Sequence, residues 1–215
     1  MAFAVPGPYR IASRVFPRLL LLAVAIGCGP LIDRAGATTV IPPEFPELVN
    51  GSDYVVRARV KAVASEVRVK DGQELIYTKV ELEVLEVIAG RPPEPLVLTM
   101  LGGQVGDRKL TVQGAPAFHV GAEDVLFIKG NGRAFSPLFA LMHGQYPVMA
   151  DEKRTGRRYM NRSNLVPLLS ADEVATPMAQ GELAERLRRL RDPGQALTPE
   201  QFAQEVRRVR RAEFE

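Results

Sequence analysis

The feature that most constrains the fold is a two-residue alternation of apolar and charged side chains around an Asp-Gly pair. Residues 54–62 alternate between apolar side chains and the cations Arg57, Arg59 and Lys61. Because successive residues of a strand point to opposite faces of a sheet, this pattern predicts a half-buried strand with one solvated face. Asp71-Gly72 suits a two-residue hairpin turn, and residues 75–88 then form the return strand.

The alternation in the return strand slips near Leu85. Apolar residues recur at every second position as far as Val84, but Leu85 and Val87 then fall on the face that was polar, and Glu86 on the apolar one. One extra residue in a strand has this effect, so we expect a β-bulge or a sharp bend there. Such bends are typical of strands that turn the corner of a barrel.

Further short strands are expected downstream, separated by turns rich in Gly, Pro and Asn. They cover residues 96–101, 110–112, 125–128, 135–141, 145–150 and 157–161. Many short strands of this kind predict a mainly β fold, an antiparallel barrel or a sandwich, in residues 50–166. The slip near Leu85 favours a small Greek-key barrel of OB-like type.

Residues 171–215 change to a helical pattern and predict a C-terminal helical hairpin. Thr198-Pro199-Glu200-Gln201 supplies an N-cap, a proline at the first helical position and a capping-box glutamine. An earlier segment begins at Thr176-Pro177, and Asp192-Pro193-Gly194 separates the two helices. Each helix has a narrow apolar stripe, formed by Leu183, Leu187 and Leu190 and by Phe202, Val206 and Val209. We expect these stripes to dock on the β domain or on each other.

The N-terminus has the three parts of a secretory signal. Arg10, Arg14 and Arg18 form a positive segment, residues 19–26 are an apolar run too short to span a bilayer, and Ala35-Gly36-Ala37 is a small-residue cleavage site. We therefore expect a signal peptide over residues 1–37, an extended linker over 38–49, and a protein exported to the periplasm or the extracellular medium.

A second processing site overlaps this signal. Ala25-Ile26-Gly27-Cys28 resembles the bacterial lipobox, although Ala25 stands where leucine is usual; lipidation of Cys28 would leave a signal of residues 1–27 and tether the protein to the envelope. Membrane contact is thus expected only through the signal segment or a Cys28 lipid. Cys28 is also the only cysteine, so an internal disulfide is excluded and the apolar core must supply the stability.

The basic character of the whole chain comes largely from its export signal. The chain has 28 Lys and Arg against 25 Asp and Glu, and residues 1–37 contain four Arg and one Asp. Removing them leaves 24 basic and 24 acidic side chains. A near-neutral mature protein has no overall field that attracts nucleic acid, so we expect no nucleic-acid partner.

A glycine-rich stretch, Gly102-Gly103-Gln104-Val105-Gly106, is a candidate phosphate loop. A phosphate loop leads into a helix, whose N-terminal amides contact the anion. Here the residues that follow, 108–112, have a strand pattern, and the Gly-Lys-Ser/Thr signature is missing. The glycines are therefore expected to form a loop between strands.

His119 and His143 are the only histidines and the candidates for catalysis. A catalytic zinc site usually has three protein ligands, and neither histidine lies in a zinc-binding motif. A Ser–His–Asp triad can be assembled from distant residues, but a Gly-x-Ser-x-Gly elbow is missing. We expect both histidines to be polar surface or rim residues, and we expect no metal and no cofactor.

Several short motifs follow one another in a recognisable order. They are Ser52-Asp53-Tyr54-Val55-Val56, Tyr77-Thr78-Lys79-Val80, Gly102-Gly103, Gly114-Ala115-Pro116-Ala117-Phe118 and Gly121-Ala122-Glu123-Asp124-Val125-Leu126-Phe127-Ile128. Together they resemble an uncharacterised group of exported bacterial β-domain proteins. This chain departs from that pattern at Ser52, where the group has alanine, and at Ala58, where it has glycine. The resemblance implies an exported β domain and no catalytic residues. A looser likeness to the OB-like barrel of metalloproteinase inhibitors concerns the fold alone.

These observations favour an exported, non-enzymatic module that binds another envelope or secreted protein. The expected contacts are the two helical stripes, and the arginine clusters beside them suit either a partner surface or a solvated amphipathic helix. Two alternatives remain open: a secreted or periplasmic hydrolase that uses a loop histidine, and a carrier of an apolar ligand.

Overall fold

The computed structural model describes residues 41–70 and 72–213. The signal segment 1–37, Cys28 and Asp71 lie outside the described residues. Residues 41–213 are mainly β, with an antiparallel sheet followed by helices.

The predicted hairpin is the longest feature of the fold. Strand β1, Tyr54–Lys70, pairs with β2, Gln73–Gly90, along its whole length. Gly72 has a φ of +76°, as the predicted two-residue turn requires. The register shifts between Arg57 and Ala58, which pair with Glu86 and Val84 and leave Leu85 unpaired. The bulge predicted near Leu85 is therefore confirmed.

Four further strands continue this hairpin into a sheet: β3, Leu96–Leu101, β6, Glu123–Ile128, β7, Gln145–Ala150, and β8, Arg158–Met160. In the described residues these six strands form one antiparallel sheet in the order β3-β2-β1-β6-β7-β8. A small hairpin of β4, Gly103–Val105, and β5, Arg108–Leu110, forms a second sheet.

The mainly β prediction is confirmed, but the sheet does not close into a barrel. Within the described residues, β3 and β8 are edge strands with one neighbour each. The outer edge of β3 is occupied by the loop after β6: Asn131 bonds to the backbone of Val97 and Thr99, and Leu101 N donates to Phe135 O at 2.8 Å. Because this loop satisfies the edge groups, β3 is not left free to pair with another strand.

The predicted strand over residues 135–141 is wrong. This segment consists of bends and turns with one isolated bridge, Ile128 to Leu138, and continues into a short 3-10 helix, Leu141–Gly144. Ala140 and Leu141 have φ values of 53° and 58°, and Pro137 has no N–H to donate. Left-handed residues and a missing donor are incompatible with a continuous ladder.

Three α-helices of the described residues lie outside the sheet. They are α1, Phe45–Asn50, α2, Gly181–Leu190, and α3, Pro199–Ala212. Helix α1 corrects the extended linker expected over residues 38–49: Phe45, Leu48 and Val49 are buried, so this segment belongs to the core. The capping box at Thr198 and Gln201 is confirmed, with both reciprocal hydrogen bonds formed.

The sheet has an apolar core on each face, as the alternation of strand side chains requires. On one face, Val55, Val125 and Phe127 pack under α1 and α3. Phe202 of α3 lies 5.1–6.0 Å, between ring centroids, from three other aromatic rings, those of Phe45, Phe127 and Tyr146. On the other face, Val56, Leu126 and Ile128 pack with residues of β2 and β3.

Ion pairs also join α3 to the sheet. Arg57 Nη1 lies 3.0 Å from Glu200 Oε1, Arg207 pairs with Glu86, and the Arg210 guanidinium donates to Ser52 O. The solvated face predicted for β1 is therefore correct at Arg59 and Lys61, which are exposed, but not at Arg57, which α3 partly covers.

Candidate functional site

The two apolar helical stripes differ in their surroundings. Phe202 and Val206 of α3 have 0% exposure, and Val209 is half-buried against the same core. This corrects their assignment as partner contacts, because side chains already packed in the core cannot form an exposed surface. By contrast, Leu183 and Leu190 of α2 are 56% and 68% exposed.

Helix α2 is held mainly at its two ends. At its N-terminal side, Asn164 Nδ2 donates to Ala179 O at 2.9 Å. After its C-terminal end, Arg191 Nη1 donates to Glu173 Oε2 at 2.6 Å. Within the helix Ala184 is the buried residue and Leu187 is half-buried, so α2 is fixed in place while its leucine stripe faces outward.

A cavity of about 530 Å³ lies where the C-terminal end of α2 meets the β7–β8 turn. Its apolar walls include Met149, Tyr159 and Leu190, so Leu190 belongs both to the leucine stripe and to the cavity. The charged residues of the lining are Asp151, Glu152, Lys153, Arg154, Arg188, Arg189, Arg191 and Asp192.

Two of the three carboxylates in the lining of this cavity pair with the same arginine. The Arg154 guanidinium contacts both oxygens of Asp192 at 3.1 Å, and its Nη1 lies 2.9 Å from Asp151 Oδ2. The hydrogen bond from Arg154 holds the pKa of Asp151 below its usual range. In the described part of the chain, no carboxylate lies within 4.0 Å of the cationic groups of Lys153, Arg188 or Arg189. The lining has five basic and three acidic side chains in all, so the cavity carries a net positive charge.

The two candidate histidines, His119 and His143, have different surroundings. His119 lines a second cavity, of about 370 Å³, whereas His143 is buried in the short 3-10 helix and does not belong to that lining. Ser163 lines the same cavity as His119, but its hydroxyl is directed at the carbonyls of Met142 and Gln145. Among residues 41–70 and 72–213, no hydrogen bond or ion pair joins His119 to Ser163. A serine whose proton is bonded to carbonyls is not activated by a base.

The same cavity contains a buried carboxyl group that the sequence did not single out. Asp124 of β6 is 2% exposed; its Oδ1 accepts from Gln145 Nε2 at 3.3 Å, while its buried Oδ2 has no hydrogen-bond partner among the described residues. Burial raises the pKa of Asp124 to about 7, which Glu123 reinforces and the Gln145 hydrogen bond opposes. The position of Asp124 could have indicated its burial, because it lies on the same strand face as Leu126 and Ile128, which are apolar and buried.

A third cavity, of about 470 Å³, is lined by the glycine pair at the end of β3. The loop expected over residues 102–106 is wrong for most of its length, because Gly103–Val105 form strand β4, which pairs with β5 in a short hairpin. A Cβ at Gly103 would lie 2.3 Å from Thr78 Oγ1 and 2.5 Å from Ser65 Oγ, and its φ is +133°. Glycine is required there for close packing, which is an architectural role.

The described residues contain no cluster of three or more His, Cys, Asp and Glu that could hold a metal ion. None of their helices has the length and apolarity needed to cross a membrane. No protein-family model matches this chain, and no curated protein sequence matches it either.

Proposed function

We propose that this protein is an exported, non-enzymatic interaction module that binds an acidic, partly apolar segment of another envelope or secreted protein. The binding surface is the α2 surface, which we define as Leu183, Leu187, Leu190, Lys153, Arg188 and Arg189. The observation that carries the proposal is the outward-facing leucine stripe of a helix that is fixed at both ends.

The apolar part of the α2 surface supports a protein partner. Leu183 and Leu190 lie two turns apart on one face, at the spacing of anchors that contact a partner helix or extended segment. Leaving two leucines more than half exposed is unfavourable by the hydrophobic effect, and a partner that covers them recovers that free energy.

The charge of the α2 surface defines the chemistry of the partner. Lys153, Arg188 and Arg189 lie around Leu190 without carboxylate partners in the described structure, although the mature chain is near neutral overall. A local positive field beside an apolar contact favours a segment that has Asp or Glu next to a large apolar side chain. Since these charges are exposed, binding is expected to weaken as salt shortens the Debye length.

Export places the partner in the same compartment. The sequence of residues 1–37 supports secretion, and the lipobox-like residues 25–28 support tethering through Cys28 as the alternative. Either route delivers the module to the periplasm, the envelope or the medium, where the proposed partner is also found.

Site-specific photocrosslinking tests this proposal. A photoreactive amino acid is introduced into the protein at Leu183 or Leu190, and at Val69 as a control, since Val69 is also highly exposed but lies at the hairpin tip. We expect a discrete protein adduct from the two α2 positions in native envelope or medium. We expect none from Val69. The adduct should disappear in the double variant R188E/R189E, which reverses the charge and leaves the leucines in place.

Two results would overturn the proposal. One is the lack of a discrete adduct at both leucines, and the other is an adduct that forms equally well at Val69. An adduct that survives R188E/R189E would refute the acidic chemistry assigned to the partner.

A further inference from the structure

The cavity that contains Asp124 is separate from the α2 surface and has the composition of a small-molecule site. Its volume of about 370 Å³ lies in the lower part of the roughly 300–1,000 Å³ range that is usual for such sites. The lining is mostly apolar and includes Ala115, Ala117, Ala122, Met142, Pro147 and Leu165. A short apolar ligand fits this lining.

One polar group in the cavity lacks a partner. Asp124 is 2% exposed, and Gln145 Nε2 is shared between Asp124 Oδ1 and Ala117 O, so the amide cannot also satisfy Oδ2. Buried polar atoms are nearly always hydrogen-bonded, and a buried carboxylate is normally paired with a cation. Within the described residues no cation pairs with Asp124.

We infer that this cavity binds a small apolar primary amine, whose ammonium group pairs with the Asp124 carboxylate once the buried Oδ2 turns toward the cavity, while its hydrocarbon part contacts the apolar lining. The amine supplies the two things that the structure leaves missing around this carboxyl group: a hydrogen-bond donor and a positive charge. A neutral alcohol supplies the donor alone, and an alkane supplies neither.

Two other titratable groups are close enough to affect this site. His119 lines the cavity, and Glu123 precedes Asp124 on the strand, where it is paired with Arg158 Nη1 at 3.0 Å. The strands on either side place Ala58 and Pro147 opposite Asp124, and neither residue titrates. Protonation of Asp124 should therefore control amine binding, because the protonated carboxyl group offers no charge to the ammonium ion.

Hexylamine and hexanol are the probes, since they share a hydrocarbon chain and differ in the polar head. Binding to the full protein is measured by calorimetry, and the site is located by the NMR shifts of the Ala117 and Leu165 methyl groups. We expect saturable hexylamine binding at pH 8, at least tenfold weaker binding of hexanol, and a loss of about tenfold in hexylamine affinity at pH 6.

Two variants separate the causes. Asp124→Asn keeps the shape and should fold, and we expect it to lose at least tenfold in hexylamine affinity together with the pH dependence. Glu152→Gln removes an acid outside this cavity, should retain both, and serves as the matched control. The inference is wrong if hexylamine does not bind, if hexanol binds equally well, or if Asp124→Asn binds hexylamine like the unmodified protein.

Discussion

Helices α2 and α3 have closely similar sequence patterns and different roles in the molecule. Both are short, rich in arginine and carry apolar residues at i, i+4 and i+7. In α3 the stripe is buried, with Phe202 among three aromatic rings, whereas the Leu183 and Leu190 positions of α2 remain exposed. An amphipathic pattern therefore shows that a helix has a contact face, but not whether the contact is made within the chain.

The polar contacts of the two helices differ in the same way. Helix α3 begins with a capping box and pairs with the sheet through Glu200 and Arg207. Helix α2 begins after Gln180, whose side chain makes no capping hydrogen bond within the described structure. Its polar contacts with the rest of the chain lie beyond the helix itself: Asn164 donates to Ala179 O before it, and Arg191 pairs with Glu173 after it. Helix α3, which packs on its own chain, is thus held by polar and apolar contacts together.

The strongest test of this comparison is Phe202→Ala. Removing a fully buried phenylalanine leaves a cavity among the aromatic rings, so the free energy of unfolding should fall by about 3–5 kcal/mol. Leu190→Ala should change it by less than about 0.5 kcal/mol, since the side chain is exposed. Urea denaturation measures both, and the milder Phe202→Leu is used if Phe202→Ala does not fold. Equal losses for Phe202→Ala and Leu190→Ala would show that the α2 stripe is also packed within the chain.

A second prediction concerns Asp124, a buried acid on the sheet whose Oδ2 has no hydrogen-bond partner among the described residues. The pKa of Asp124 is near 7 in the folded protein and near its ordinary value of 3.8 in the unfolded chain. The unfolded state loses this proton at a lower pH than the folded state does. The contribution of Asp124 to the free energy of unfolding is therefore fully present below about pH 4, and it is lost as the pH rises through 7. One pKa unit is worth about 1.4 kcal/mol, so Asp124→Asn should be more stable than the unmodified protein by a few kcal/mol at pH 8.

The pH dependence of this difference is the decisive measurement. Unfolding in urea at pH 4 should give nearly equal stabilities for Asp124→Asn and the unmodified protein. A difference that stays constant from pH 4 to pH 8 would contradict the raised pKa of this buried group. Asp107→Asn, a change in the exposed β4–β5 turn, controls for the general effect of removing one carboxylate.

The third prediction compares the starts of the two helices. Thr198→Ala removes the hydroxyl that accepts from Gln201 N at 3.2 Å, and should cost about 1 kcal/mol. Gln180→Ala is the matched change at the start of α2 and should cost less than about 0.5 kcal/mol. Thermal unfolding followed by circular dichroism compares the two. Similar losses would mean that the start of α2 is as well fixed as that of α3.

The smallest expected effect on stability belongs to Leu190→Ser. An exposed leucine in a fixed helix contributes little to the fold, so the free energy of unfolding should change by less than about 0.5 kcal/mol. The photocrosslinked adduct formed at Leu183 should nevertheless weaken. If Leu190→Ser lowered the free energy of unfolding without changing the adduct, the α2 stripe would stabilise the fold and would not contact the proposed partner.

Several local features could be predicted because they depend on neighbouring residues alone. The β1–β2 hairpin follows from alternation and from Gly72, the bulge from the slip at Leu85, and the start of α3 from Thr198 and Gln201. Each rests on a rule of backbone geometry that operates within a few residues.

The failures occurred where distant parts of the chain meet. Residues 45–49 were predicted as part of a proline-rich linker, yet Phe45 completes an aromatic cluster with Phe202, which lies more than 150 positions away. The sequence did not single out Asp124, nor did it indicate that Gln145 would satisfy only one of its carboxylate oxygens. It also gave α2 and α3 the same pattern. Only the tertiary structure decided which stripe is covered and which polar atom lacks a partner. The reason is that burial depends on which surfaces meet in the folded protein, and the spacing of apolar residues in one segment does not determine that.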